Sequence, residues 1–200
     1  MKKLTRDFYV KDACTVARNL IGKILVHNSH EGTTSGIIVE AEAYCGPEDK
    51  AAHSYNNKRT KRTEIMFHAG GFAYVYMIYG MHCCFNITAN IPGKPEAVLI
   101  RALEPLAGGN LMFQRRNINS WVNLCNGPGK LCAAMGITRE LYGADLCGDS
   151  LYVMEGVRDY SVIASERVNI DYAEECRNFL WRYYAEGNIF VSRVKQNRPQ

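Results

Sequence analysis

Residues 36–54 read GIIVEAEAYCGPEDKAAHS. The first nine alternate as a strand does: Ile37, Val39, Ala41 and Ala43 face one way, and Ile38, Glu40, Glu42 and Tyr44 the other. CGPED makes a corner, and Asp49 stands where it can cap a short helical turn, KAAHS, that carries His53. One strand therefore puts two carboxylates and a tyrosine on a single face, and the chain turns back to deliver a histidine.

Outward from this strand the pattern is one of hairpins. KILVH (23–27) is a short apolar strand that follows a helix over Lys11–Leu20, which ends at Gly22. FAYVYMI (72–78) and HCCFNITA (82–89) are two strands joined near Gly80, and EAVLIRALEPL (96–106) is a third. NLMFQRRN (110–117) and GPGKLCAAMG (127–136) read as helices, the second opened by Pro128 and closed by Gly136. LYVME (151–155) is strand-like, and AEECRNFLWRYYAEG (173–187) has a helical or mixed pattern. Strands clustered as hairpins with helices at both ends predict an α+β fold, a single mixed domain over residues 1–200 around an antiparallel sheet.

Composition narrows the classes. Two hundred residues with 47% hydrophobic content can bury one sizeable core, and there is no repeat or low-complexity tract. The net charge of +4 permits an anionic partner without demanding one. The N-terminus lacks the apolar run of a secretion signal, and the longest apolar stretch, residues 72–85, is too short to span a bilayer. A soluble, cytoplasmic protein without a membrane partner is expected. Eight cysteines occur with no C-x-x-C spacing, so free thiols rather than disulfides or a zinc site are expected.

Five features carry chemistry. Arg101 interrupts an otherwise apolar strand, and a buried arginine requires a carboxylate, for which Glu42 and Glu40 are the candidates. That pair is either structural or holds a water for attack. Asn86 lies on the more polar face of its strand, placed to read a hydrogen-bonding edge or to tie down a loop. Among the tyrosines, Tyr74 reads as core, Tyr76 as the border of a cavity, and Tyr79, at the hairpin tip, as a contact residue or wedge. NNKRTKRTE (56–64) groups Lys58, Arg59, Lys61 and Arg62, which suit phosphate contacts. CNGPGKLC (125–132) offers glycines and Lys130 at a helix start, a weak anion-binding signal.

EAEAYCGPEDKAAHS, YVYMIYGMHCCFNI and LIRALEPL, followed by GPGKLCAAMGI and the ERVNI…FVSR stretch, resemble in this order the alkyladenine (3-methyladenine) DNA glycosylase family. The resemblance runs from about Leu4 to Val194. It implies a monomeric enzyme with a curved antiparallel sheet, acting on damaged purines in double-stranded DNA without metal or cofactor. Glu42 would be the general base that activates water, with Arg101 and the main chain of Val168 holding that water. Tyr44 and His53 would stack on one side of a flipped base and Tyr76 on the other. Asn86 would sit at the base edge, Tyr79 would fill the gap in the duplex, and Lys58, Arg59, Lys61, Arg62 and Lys130 would contact the backbone.

The chain departs from the family pattern at Cys45, where a larger aliphatic residue is usual, and in its basic loop, which lacks a proline found in some members. Two rival readings remain at this stage: a glycosylase/lyase using Lys130 as a Schiff-base nucleophile, and a non-catalytic nucleic-acid-binding module on the same fold. Glu40 is expected to have a structural hydrogen-bonding role.

Overall fold

From the N-terminus, helices α1 (Arg6–Tyr9) and α2 (Ala13–Leu20) lead into strands β1 (Ile24–Ser29) and β2 (Gly32–Tyr44). The hairpin strands β3 (Ala73–Ile78) and β4 (His82–Ala89) follow, then β5 (Glu96–Ala107), α3 (Gly109–Arg116) and α4 (Pro128–Met135). Short strands β6 (Leu151–Met154), β7 (Val162–Ser165) and β8 (Arg182–Ala185) complete the order. This computed structural model describes residues 2–156 and 158–192. Arg193 and Val194, where the family resemblance ends, lie outside the described residues.

The strands make one antiparallel sheet in the order β3-β4-β5-β2-β1-β6. β2 is its centre because it is long enough to serve three partners. One edge pairs with β5 along its length; the other pairs with β1 over residues 32–37 and with β8 over Glu40–Glu42. β8 in turn pairs with β7. The fold is the expected mixed α+β domain on a curved antiparallel sheet.

Both faces of β2 are buried, so its apolar face explains only half of its position. Ile37, Val39, Ala41 and Ala43 join Leu20, Ile24, Phe85, Ile100 and Leu103 in one core. α2 reaches that core with Ala13, Val16, Ala17 and Leu20, the spacing of one helix face, and Asp12 caps it by accepting from the N–H of Thr15 at 2.9 Å.

The β2–β5 register shifts at three places, between Ser35 and Gly36, between Ile38 and Glu40, and between Glu40 and Ala41. Glu40 stands opposite Ala102 and Ala41 opposite Ile100, which leaves Arg101 as the extra residue of a bulge in β5. A bulge re-aims a side chain. Here it accompanies an Arg101 side chain that lies against Glu40 and Glu42.

Glu40 is 0% exposed and accepts four hydrogen bonds. Its Oε1 takes Nε of Arg101 (3.1 Å), Nε of Arg182 (2.6 Å) and Oγ of Ser192 (2.9 Å), and Oε2 takes the N–H of Ser192 (2.8 Å). The carboxylate joins β2, β5, β8 and the segment around Ser192, which is the structural role expected of it.

Three local expectations change. KAAHS is a run of turns rather than a helical turn, because the Asp49 carboxylate folds the corner by accepting from the N–H groups of Cys45 (3.1 Å) and Ala51 (3.0 Å). Residues 173–187 do not continue as a helix. A 3₁₀ segment, Asp171–Asn178, is broken at Glu174 (φ 49°), and β8 follows, held by pairing on both edges. β7 was not anticipated; its four residues are too short for a period to register. All eight cysteines are free thiols.

Removing the Glu40 carboxylate would leave Arg101 and Arg182 buried with excess positive charge. Breaking a buried pair costs about 3–5 kcal/mol. Glu40→Ala should therefore lower the melting temperature by roughly 10 °C, read by calorimetry. A shift of a degree or less would show that the cluster adds nothing net to stability.

Candidate active site

Glu42, like Glu40, is 0% exposed. Three donors converge on it. Its Oε1 accepts the main-chain N–H of Val168 at 2.7 Å; its Oε2 accepts the Tyr44 hydroxyl at 3.1 Å and Arg101 NH1 at 3.2 Å. An ionised carboxylate offers about four acceptor positions, so one remains for a further donor such as water. Burial disfavours the charge on Arg101, but Glu42 and Glu40 more than offset it and hold the guanidinium protonated. Burial and the neighbouring Glu42 raise the Tyr44 phenol well above its ordinary value, so it stays a donor.

Beside this carboxylate lies an aromatic cleft. Tyr44, His53, Tyr74, Tyr76 and Asn86 border a cavity of about 50 Å³, with Ala51, Met66, Ala97 and Tyr172. Tyr74 is 2% exposed, a core residue as expected, whereas Tyr76 is half-buried at the cavity border. Asn86 lines the cavity, and its Nδ2 donates to the carbonyl of Tyr74 on the neighbouring strand at 3.1 Å, so it ties down a strand rather than a loop.

The cleft is closed. His53 and Tyr76 touch edge to face, with ring centroids 4.7 Å apart. A base sandwiched between two rings needs about 7 Å between them, two contacts of about 3.5 Å. A cavity of about 150 Å³ holds benzene, so the volume behind the rings is too small for a purine.

Arg62 covers this closed cleft. Its guanidinium lies 4.6 Å over the Tyr76 ring, and Nε contacts the Tyr74 hydroxyl at 3.2 Å. Its NH2 is 2.9 Å from Nε2 of His53. Packing against its neighbours, together with the charges of Arg62 and Lys58, pushes the His53 pKa from 6.5 down to about 4. At neutral pH the ring is uncharged.

The basic loop thus divides. Arg62 turns towards the rings. Arg59 is paired with Glu64 at 2.6 and 2.8 Å and lies over Phe67. Lys58 and Lys61 are exposed. Lys61 and Arg62 border a groove of about 510 Å³ with Tyr76, Met77, Tyr142 and Arg139, a cation that no motif or spacing singles out. Lys130, on α4, is exposed, donates to Asn126 Oδ1 at 2.8 Å and does not line the aromatic cavity.

Tyr79 stands at the β3–β4 tip, 87% exposed, next to exposed Met81. Tyr79 (φ 51°) and Gly80 (φ 69°) both adopt the left-handed conformation, closed by Met81 N–H to Ile78 C=O at 3.2 Å. That conformation costs a tyrosine about 1–2 kcal/mol. The tip therefore holds an aromatic ring in solvent at the expense of local strain.

The methylpurine-DNA glycosylase family pattern matches residues 7–189. The chain belongs to the methylpurine-DNA glycosylase family. Its curated relatives include proteins provisionally named 3-methyladenine DNA glycosylase. That of Desulfitobacterium hafniense is 50% identical over 96% of this chain and 99% of its own length. That of Natranaerobius thermophilus is 49% identical over 95% and 98%, and that of Clostridium acetobutylicum 48% over 98% and 100%. The chain is accordingly a DNA glycosylase, a DNA-repair enzyme that binds DNA. Among the described residues, no helix is long and apolar enough to cross a membrane.

Sequence reasoning missed two residues of this glycosylase site. Arg167 and Asp49 are paired behind it with side chains 0% exposed, Arg167 lying over the Tyr44 ring. Asp49 was visible only as a turn residue, and Arg167 lies in a segment with no periodic signal.

His53 supplies a test of the closed cleft. The folded protein disfavours the imidazolium, so stability should fall as pH drops from about 6.5 towards about 4, where the unfolded chain binds the extra proton. By NMR, the His53 ring should not titrate between pH 5 and 8. In Arg62→Ala its pKa should rise towards 6.5, because a neighbouring positive charge is gone. An ordinary His53 titration in the unsubstituted enzyme would show that the ring is not packed away from water in this cleft.

Proposed function

We propose that this glycosylase hydrolyses the N-glycosidic bond of alkylated and related damaged purines in duplex DNA, using a water activated by Glu42. The observation that carries this reading is the buried Glu42 carboxylate, with three donors aimed at it, directly beside an aromatic cleft. General-base attack needs a carboxylate held within hydrogen-bond reach of the water, ~3 Å. Glu42 removes a proton from that water as its oxygen bonds to the anomeric carbon. The bond from that carbon to the purine nitrogen breaks, and the base leaves with the electron pair. Arg101, bonded to Glu42, helps hold the water, and the Val168 N–H fixes the carboxylate that receives the proton.

A base inside a duplex is out of reach of such a site and has to be flipped out, at a price of a few kcal/mol. Stacking contributes about 1–3 kcal/mol per base. Tyr44 and His53 on one side and Tyr76 on the other are the stacking rings, and Tyr79 takes the place of the extruded base. In the closed cleft Arg62 occupies the face of Tyr76, so base entry requires Arg62 to leave. A phosphate in the adjoining groove offers it a charged partner.

The cleft's electrostatics favour particular lesions. Bases alkylated at N3 or N7 carry positive charge, stack well on aromatic faces and leave as neutral molecules. An uncharged His53 adds no repulsion to such a base. Neutral lesions of the hypoxanthine and ethenoadenine class need a proton from elsewhere, since at neutral pH His53 has none to give. Asn86, held by its bond to the Tyr74 carbonyl, would crowd the exocyclic 2-amino group of normal guanine and discourage its entry by bulk.

Glu42→Gln keeps the side-chain shape and removes its basicity. Single-turnover release of hypoxanthine should fall by about 10²- to 10⁴-fold, while lesion-DNA binding persists. The melting temperature must be measured in parallel, because Arg101 loses a charged partner. A folded variant that excises at the unsubstituted rate would remove Glu42 from the mechanism and leave Glu40 as the next candidate.

The groove should position DNA without reading it. Lys61→Ala and Arg139→Ala should weaken binding to all duplexes alike, each reducing the salt slope by about 1. Arg59→Ala should change it less, since Glu64 already neutralises that guanidinium. A changed lesion preference at constant general affinity would sink this assignment.

A further inference from the structure

Arg167 is a buried cation with four hydrogen bonds, and nothing in hydrolysis as described above calls on it. Its NH1 and NH2 donate to the two oxygens of Asp49 at 2.6 and 2.8 Å. NH1 also reaches the carbonyl of Ala43 at 2.9 Å, and NH2 that of Cys176 at 3.3 Å. The guanidinium plane is packed between aromatic rings, 4.8 Å from the centroid of Tyr44 and 4.9 Å from that of Trp181. Burial works against its charge, but the bond to Asp49, the charge of that carboxylate and the nearby Tyr44 and Glu42 together outweigh burial and keep it protonated.

These contacts converge on the catalytic carboxylate from outside. The next residue in the chain is Val168, whose N–H is the shortest bond made to Glu42. Val168 lies in no strand, so no ladder of hydrogen bonds fixes its direction. Asn169, which follows, has φ 58°, a turn that aims the peptide but does not anchor it. Arg167 is the anchor. Through Ala43 it is tied to β2 between Glu42 and Tyr44, and through Asp49 to the corner that carries His53.

We infer that Arg167 is a positioning residue for the reaction: it fixes the Val168 peptide against Glu42 and the Tyr44 ring beside it, so that the base and the stacking platform keep one geometry. The inference rests on the reading of Glu42 as general base. It does not make Arg167 touch substrate.

Arg167→Lys keeps the charge and one bond to Asp49 but loses the planar fork and its stacking. Single-turnover release of hypoxanthine is measured for Arg167→Lys, Glu42→Gln and the double variant, each at a temperature where it is folded. A misplacement of about 1 Å can cost 10²-fold, so Arg167→Lys alone should slow release by roughly 10- to 100-fold. In the Glu42→Gln background it should add less than about threefold, because residues that act as a unit are not additive. Equal losses in both backgrounds, or an unsubstituted rate for Arg167→Lys, would overturn the inference.

If Arg167→Lys does not fold, an amide-to-ester replacement at Val168 tests the same link, since it deletes only the N–H that Arg167 is argued to aim. Slowed release supports the inference, and an unchanged rate overturns it. Glu42→Gln separates the two levels. Should Glu42→Gln itself excise normally, the general-base reading fails; should Glu42→Gln fail to excise while Arg167→Lys excises normally, only the positioning role fails.

Discussion

Two fully buried carboxylates two residues apart on one strand face constrain everything else in this fold. Glu40 and Glu42 would repel each other and lose their hydration on burial, a penalty of several kcal/mol per ion. Arg101 bridges them, and Arg182 adds a second guanidinium on Glu40. The two negative charges are thus matched by two positive ones. Meeting that demand explains several irregularities: the bulge that accompanies Arg101, the short strand β8 that delivers Arg182, and the chain segment that brings Ser192 to Glu40. The two carboxylates then differ by environment. Glu40 is surrounded by donors from three other segments of the chain, whereas Glu42 borders the tyrosine of an aromatic cleft.

The cleft is organised around positive charge from the outset. An arginine already lies on the face of Tyr76 and against an uncharged His53. The features that let a guanidinium rest there, electron-rich ring faces and an imidazole that does not compete for a proton, are the ones that suit a cationic alkylated purine. Arg62 and such a base would therefore compete for one place. On the proposed reading, their exchange would link opening of the cleft to contact with the DNA backbone, because an anion in the groove would offer Arg62 another partner. Tyr79 stands apart from this equilibrium, already extended into solvent on a strained turn.

How much of this was legible in the sequence depends on the range of the interactions involved. Period-two alternation revealed β2, and hairpin signals revealed β3 to β5, since both are local patterns on long strands. The anomaly of an arginine in an apolar strand revealed the need for a carboxylate, and the shared parity of Glu40, Glu42 and Tyr44 named the partners. What stayed hidden was supplied across large sequence distances. Arg182 lies in a segment whose local pattern looks helical, and it becomes a strand only because β2 and β7 offer it two edges. Arg167 sits in irregular chain between β7 and a broken 3₁₀ turn, where no periodicity exists to be read. The reach of Arg62 into the cleft was hidden for another reason. A run of four cations in nine residues does not tell which one is drawn back by the protein's own rings.

The division of labour between sheet and loops follows from the same physics. Glu42, Arg101, Tyr44, Tyr76 and Asn86 all project from β2, β3, β4 or β5, four consecutive strands of the sheet. A reacting group must be held to a fraction of an ångström, and a ladder of backbone hydrogen bonds does that without further help. His53, Lys58, Lys61, Arg62 and Arg139 come from turns and loops, where side chains can follow a ligand that arrives in many sequences and is then released. Val168 is the exception, a donor to Glu42 that comes from irregular chain. It is also the residue next to Arg167, the buried cation with four hydrogen bonds and two aromatic neighbours. Where the sheet does not extend to hold a group in place, a buried ion pair takes over that function.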